Sequence, residues 1–249
     1  MIDLHFWPTP NGFKVTILFE EIKRLDPSFD YRIVPCSIGT GDQFREEFLA
    51  INPNHRMPAM VDHQPAGSVN DVAPISVFES GAIMLYVAEK TGHFWPSEMA
   101  ERYRMMEWVM WQMANQGPKF GEAGHYRRLD ESSGDQSYAK RRYGDEVNRL
   151  YGVMNMQLYR SRYLGGEDYG LADMIAYPWC TYLEAQGENI DDFPHFKRWW
   201  LELSERPGLL AGMDVGSDMK VDITGMSDQQ LKEMVAMMYN QRARPVPEK

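Results

Sequence analysis

Thr9 and Asn11, in the stretch Trp7-Pro8-Thr9-Pro10-Asn11-Gly12, are the first side chains of this sequence set where chemistry can be done. Residues 2–6 alternate apolar and polar like a half-buried strand, and residues 13–22 read as a helix, so the stretch is a strand-to-helix turn. Its two prolines fix φ and remove backbone donors. Thr9 and Asn11 are good N-cap types, and Gly12 tolerates a strained turn. Such a turn aims backbone N–H groups outward at a helix N-terminus, where an anion is favoured. A plain capped turn is the alternative. Two further stretches stand out. Met57-Pro58 sits at the mouth of an apolar run, where a proline suits a strand start, an edge or a bulge. A cis bond there, the minority form, would expose the Met57 backbone for pairing. Glu79-Ser80-Gly81 opens a helix.

The elements that must position these residues are legible in outline. After the first helix, residues 31–35 read as a second strand, and strand–helix–strand implies a right-handed parallel crossover. Residues 43–51 read as a short amphipathic helix, 59–61 as a strand and 75–78 as a last strand. The helix from Glu79-Ser80 carries Ile83, Leu85, Tyr86 and Val87. Gly92-His93-Phe94-Trp95-Pro96-Ser97 is the one clear break. Everything after it reads helical: 98–116, then a second long helix over 138–159, a third opened by Gly170-Leu171-Ala172-Asp173 with Asp173 reaching back to cap it, and shorter ones over 193–203 and 209–213. The expected division is therefore 1–91 as an α/β domain, 92–97 as a linker, 98–215 as an all-helical domain, and 216–249 as an extension with a helix near 227–240.

Composition removes several function classes. A net charge of -10 argues against nucleic-acid and anionic-membrane partners. No apolar run approaches a membrane span, and the first residues carry no signal-peptide pattern, so a cytoplasmic location is expected. The two cysteines, Cys36 and Cys180, lie far apart, which suits a reducing compartment and excludes a disulfide framework. The six histidines show no helical i, i+4 pair, so no metal site is expected. Eighteen methionines read as adaptable core filling.

The order of elements, with a proline entering the third strand, resembles the glutathione transferases: an α/β thioredoxin-like domain followed by an all-α domain. Met57-Pro58 with Glu79-Ser80 carries the superfamily resemblance. Thr9-Pro10-Asn11-Gly12, Gly41-Asp42-Gln43-Phe44, the 57–63 and 78–83 stretches and Tyr177-Pro178-Trp179 are similar to the bacterial nu class. Gly170 departs from the superfamily, which usually has Ser or Thr there, and the chain runs on past residue 220.

The resemblance implies glutathione as cosubstrate. Glu79 would take its ammonium, Ser80 and the N–H groups beside it the γ-glutamyl carboxylate, and the Met57 backbone before Pro58 the cysteinyl unit. Gln43 and Arg56 are the nearest donors for the glycyl carboxylate. The sulfur would lie over Thr9 and Asn11, whose donors favour thiolate. The resemblance also implies a homodimer, with Arg142 either reaching glutathione across it or simply solvated. The first-helix turn holds no cysteine, and Trp7-Pro8 stands where other classes keep tyrosine or serine. The class therefore implies a thiol–disulfide oxidoreductase in which glutathione supplies the reacting sulfur, with weaker transferase or peroxidase activity. Two alternatives stay open. One is conjugation to, or thioether cleavage of, an aromatic electrophile, with Phe120, Tyr126, Trp179 and Tyr182 lining a pocket or else filling core. The other is a non-catalytic binding or regulatory protein.

Overall fold

The computed structural model describes residues 1–65, 73–129 and 131–219, with scattered positions beyond, so the helix expected near 227–240 lies for the most part outside the described residues. The chain falls into two compact units. One comprises Met1–Pro8, Tyr31–Glu79 and Gly216–Lys249; the other comprises Thr9–Asp30 and Ser80–Val215.

The first unit is built on a four-stranded sheet, β1 (Ile2–Phe6), β2 (Tyr31–Pro35), β3 (Ala59–Asp62) and β4 (Ile75–Phe78), in the order β2-β1-β3-β4. β1 runs parallel to β2 with Leu4 opposite Ile33, and antiparallel to β3 with Leu4 opposite Met60. Ile2, Leu4 and Phe6 alternate inward and are buried. Asp3, also buried, is held by Arg32 (Nη2–Oδ2 2.6 Å) and by His63 (3.0 Å). Cys36, Phe48, Met57 and Ala59 form a small core onto which Trp7, Ile38 and Ile51 pack.

The helix expected over 43–51 is split. A 3₁₀ turn, Asp42–Phe44, is followed by Arg45 in extended conformation, and only then by α2 (Glu46–Ile51). Gly41 enters the turn at φ 82°, a conformation that favours glycine. The Asp42 carboxylate accepts from the Ser37 N–H at 3.0 Å and pairs with Arg45 at 2.7 Å, fixing the break.

The second unit is helical: α1 (Pro10–Leu25), α3 (Ser80–Thr91), α4 (Met99–Trp111), α5 (Gly117–Arg128), α6 (Ser137–Arg160), α7 (Leu171–Cys180), α8 (Pro194–Ser204) and α9 (Pro207–Asp214). Val147, Leu150, Tyr151, Met154 and Leu158 form the buried stripe of α6, and the Tyr151 ring meets Phe120 at 4.8 Å and Phe196 at 5.1 Å. α1 is locked to α9 because Thr16 donates to the Gly212 carbonyl at 2.7 Å. A Cβ on Gly212 would meet the Ile17 backbone at 2.4 Å, so only glycine fits. Glu21, buried on the same helix, receives a two-pronged ion pair from Arg206 at 2.6 and 3.1 Å.

The helix expected over 98–116 ends at Trp111. A π-helical turn, Gln112–Gln116, follows, closed by the Gly117 N–H on the Gln112 carbonyl, and leads into α5. That helix falls within the stretch that reads helical, although the sequence pattern does not delimit it as a separate helix. Pro118 follows directly on the π-turn, and Gly117 and Gly121 leave room for the Trp179 indole.

Candidate active site

The residues expected to handle sulfur and the γ-glutamyl carboxylate lie in the helical unit. Thr9 is the N-cap of α1, its Oγ1 accepting from the Gly12 N–H at 3.3 Å. Asn11 Oδ1 accepts from the Trp179 indole N–H at 3.0 Å. A hydroxyl and a primary amide each keep donor hydrogens when their acceptors are engaged. Among the described residues, neither the Thr9 hydroxyl nor the Asn11 amide donates to a partner. The first turn of α1 contains no acidic residue to occupy its positive end.

Ser80 begins α3, which likewise has no acid in its first turn. Its hydroxyl is buried, accepts from Lys14 Nζ at 3.3 Å, and lies 3.4 Å from Met113 Sδ. Lys14 is itself buried and reaches the same sulfur at 3.5 Å. A Cβ on Gly81 would meet Met113 Cγ at 3.0 Å, so the glycine lets the π-turn methionine close over this corner. A buried lysine nitrogen beside the start of α3 adds a donor where a carboxylate is expected.

The remaining expected residues lie in the sheet-containing unit, apart from Arg142. The Met57–Pro58 bond is cis, and both residues are buried at the entrance to β3. The loop before it is tied by Asn52, whose Nδ2 donates to the Arg56 carbonyl at 2.6 Å and whose Oδ1 accepts from the Asn54 N–H at 2.9 Å. Asn54 Nδ2 then donates to Glu79 Oε1 at 3.3 Å. Glu79 is exposed and sits at φ 72°, a strained backbone for a side chain of its size. Gln43 is buried in the 3₁₀ turn, where Nε2 donates to the Ile38 carbonyl at 3.5 Å and Oε1 has no described partner. Arg56 is exposed. Arg142, exposed on α6, lies 3.7 Å from Glu146, whose carboxylate is already gripped by Arg149 at 2.7 and 2.9 Å.

The protein's own sulfurs are unsuited to attack. Burial pushes the Cys36 thiol up to about 12 and raises Cys180 as well, although Gln116 donates to the latter at 3.1 Å. Among the described residues there is no cluster able to hold a metal ion, and no helix is long and apolar enough to cross a membrane.

Residues 2–89 match the glutathione S-transferase N-terminal domain, and residues 118–207 match the C-terminal domain of the same family. The chain belongs to the glutathione S-transferase family. This glutathione S-transferase family member is 42% identical over 207 residues to the disulfide-bond oxidoreductase YfcG of Escherichia coli K12, covering 83% of this chain and 92% of that protein. A solved family member from Pseudomonas fluorescens Pf-5, with two glutathione bound, superimposes with a TM-score of 0.76 at 36% identity, over 85% of this chain and 92% of that one. A glutathione transferase from Pseudomonas putida, with one glutathione disulfide bound per subunit, gives a TM-score of 0.76 at 31% identity, over 86% and 91%. The mixed sheet followed by helices is thus the glutathione transferase fold.

Sequence reasoning missed three residues of this glutathione S-transferase family member that touch the expected site residues. Lys14 lies on the buried face of α1, in step with Ile17, Leu18 and Glu21; a cation on an apolar stripe was the available signal. Asn54 carries no pattern of its own. Trp179 reads in the sequence as core or pocket wall, whereas its N–H reaches Asn11. Of the other aromatic candidates, Phe120 is core, Tyr126 stacks on Tyr143 with centroids 5.2 Å apart, and Tyr182 is exposed.

Proposed function

We propose that the protein reduces disulfides with glutathione, whose bound thiolate is the attacking group. One observation carries this reading. Thr9 and Asn11 stand at the start of α1 with their acceptor atoms occupied and their donor hydrogens unspent. Such a pair stabilises a thiolate, the attacking species in thiol–disulfide exchange. The thiolate attacks one sulfur of the substrate disulfide, forming a mixed disulfide and expelling the other half as thiolate, which takes up a proton. A second glutathione thiolate then attacks the glutathione sulfur of the mixed disulfide. Glutathione disulfide leaves, and the substrate is released as two thiols. The relatives named as a disulfide-bond oxidoreductase and as binding two glutathione or glutathione disulfide support this sequence.

In this reading Glu79 takes the ammonium of the γ-glutamyl end, and Ser80, backed by Lys14, takes its carboxylate. The Met57 backbone before Pro58 pairs with the cysteinyl unit, and Gln43 and Arg56 serve the glycyl carboxylate. The protein acts as a homodimer, with Arg142 directed to the partner's glutathione, and residues 92–97 divide its two domains. The test is a parallel assay of the purified protein with glutathione, on a small disulfide and on an aryl halide. Disulfide reduction should dominate. Dominant conjugation of the aryl halide would shift the assignment to a transferase, and glutathione binding without turnover of either would make the chain a binding protein.

A further inference from the structure

Asn11 can serve a thiolate only if its amide is turned with Nδ2 outward, and nothing in α1 itself dictates that turn. The Trp179 indole does. Its N–H is a donor and never an acceptor, so the 3.0 Å bond it makes must go to Oδ1, and the NH2 group is left facing away from the indole. The indole is in turn seated from below by two glycines one turn apart on α5. A Cβ on Gly117 would lie 3.4 Å from Trp179 Nε1 and 3.1 Å from the Gln112 amide. A Cβ on Gly121 would lie 3.1 Å from Cη2 at the far end of the ring. The ring therefore lies lengthwise along α5, over one helical turn of ~5.4 Å pitch at which the two glycines present no side chain. Pro178 precedes Trp179 in the last turn of α7, fixing the backbone from which the indole extends.

We infer that Trp179 is a positioning residue for the reacting sulfur: seated on Gly117 and Gly121, it holds the Asn11 amide in the orientation that presents its donors to the glutathione thiolate. This rests on the assignment of Asn11 to the sulfur. The indole touches no reacting atom and acts only through Asn11. Its loss therefore raises the energy of the thiolate and of the transition state while sparing the peptide contacts of glutathione.

Trp179→Phe keeps an aromatic side chain, though a smaller one, and removes the N–H. Glutathione affinity should stay within about twofold of wild type. The turnover number for disulfide reduction should fall by roughly two- to tenfold, the scale of one neutral hydrogen bond. The pKa of the bound thiol, followed by thiolate absorbance, should rise. In an Asn11→Ala background the same substitution should have no further effect, because the amide it orients is gone. Gly121→Ala presses on the ring and should move turnover and thiol pKa the same way by less; it carries the test if Trp179→Phe fails to fold. A folded Trp179→Phe protein with an unshifted thiol pKa, beside an Asn11→Ala protein whose pKa has risen, would reduce Trp179 to packing while leaving Asn11 on the sulfur. Additive losses in the double variant would do the same. An Asn11→Ala protein with an unshifted pKa would overturn the sulfur assignment first, and the positioning role with it.

Discussion

Two helix starts in the helical unit use the same physics to opposite ends. At α7 the positive end is filled from within. Asp173, fully buried, accepts from the Gly170 N–H at 3.1 Å, the Leu164 N–H at 2.9 Å and the Trp199 indole at 2.7 Å. At α1 the cap is a neutral threonine at a long 3.3 Å, and no carboxylate stands in the first turn. A helix N-terminus favours an anion wherever it occurs. The first helix start is spent on folding; the second keeps its preference for something that arrives later. A helix start whose first turn lacks an acid, beside donors left unspent, is thus a better pointer to a ligand than a cap alone.

The comparison can be broken most forcefully at α7. Asp173→Ala leaves three donors without an acceptor, two of them buried, and should cost about 3 kcal/mol or more of unfolding free energy, measured by chemical denaturation, with the bound thiol's pKa unmoved in whatever remains folded. Thr9→Val is the mirror case. Turnover should fall roughly 10- to 150-fold, the worth of a hydrogen bond to a charged acceptor, while stability changes by about 1 kcal/mol, the worth of a cap. A large loss of stability with an unshifted thiol pKa would make the two helix starts alike and Thr9 scaffold.

Between these extremes lies binding. Glu79→Ala should weaken glutathione by about 1.5–3 kcal/mol in calorimetry; unchanged affinity would place the ammonium elsewhere. The α7 cap also predicts a pH signature. Burial, opposed by its three hydrogen bonds, raises Asp173 from 3.8 to about 6. Between those values the folded protein holds a proton that the unfolded chain releases, so this group's contribution to stability declines as pH rises through the window. Asp173→Asn has no such titration, and the stability advantage of wild type over it should shrink from pH 4 to pH 6. A constant difference would show that the carboxylate is ionised throughout. The smallest effect is expected at the cysteines. Cys36→Ser with Cys180→Ser should retain most disulfide-reductase activity, since burial keeps both thiols protonated. Near-complete loss in a folded double variant would move the chemistry onto the protein.

The strands and most helices were legible because their apolar spacing is regular, and the Thr9–Asn11 turn because prolines and cap residues punctuate it. What escaped has a common cause. Trp179 and Asn11 are 168 residues apart, so no local pattern joins them. α5 is not delimited by the sequence pattern, and two of its glycines are there to admit an indole. The break at Arg45 depends on an aspartate reaching back to Ser37, a choice that amphipathic spacing does not record.

The π-helical turn between α4 and α5 has a mechanical meaning beyond its shape. On one side Met113 closes over Ser80 and Lys14; on the other, Gly117 and Gly121 bear the indole that reaches Asn11. An α-helix advances by about 100° per residue, so in an uninterrupted helix the directions of these two faces would be rigidly linked. The extra residue of the π-turn resets that fixed offset by one residue's rotation of ~100°. It works as a vernier: each face can be indexed to its own target on a single rod of backbone. Deleting one residue between 112 and 116 would let the rod relax to a plain helix, and it would then serve one face at the expense of the other. The proposed grip on the carboxylate end and the proposed alignment of the sulfur end would become competing settings of a single dial.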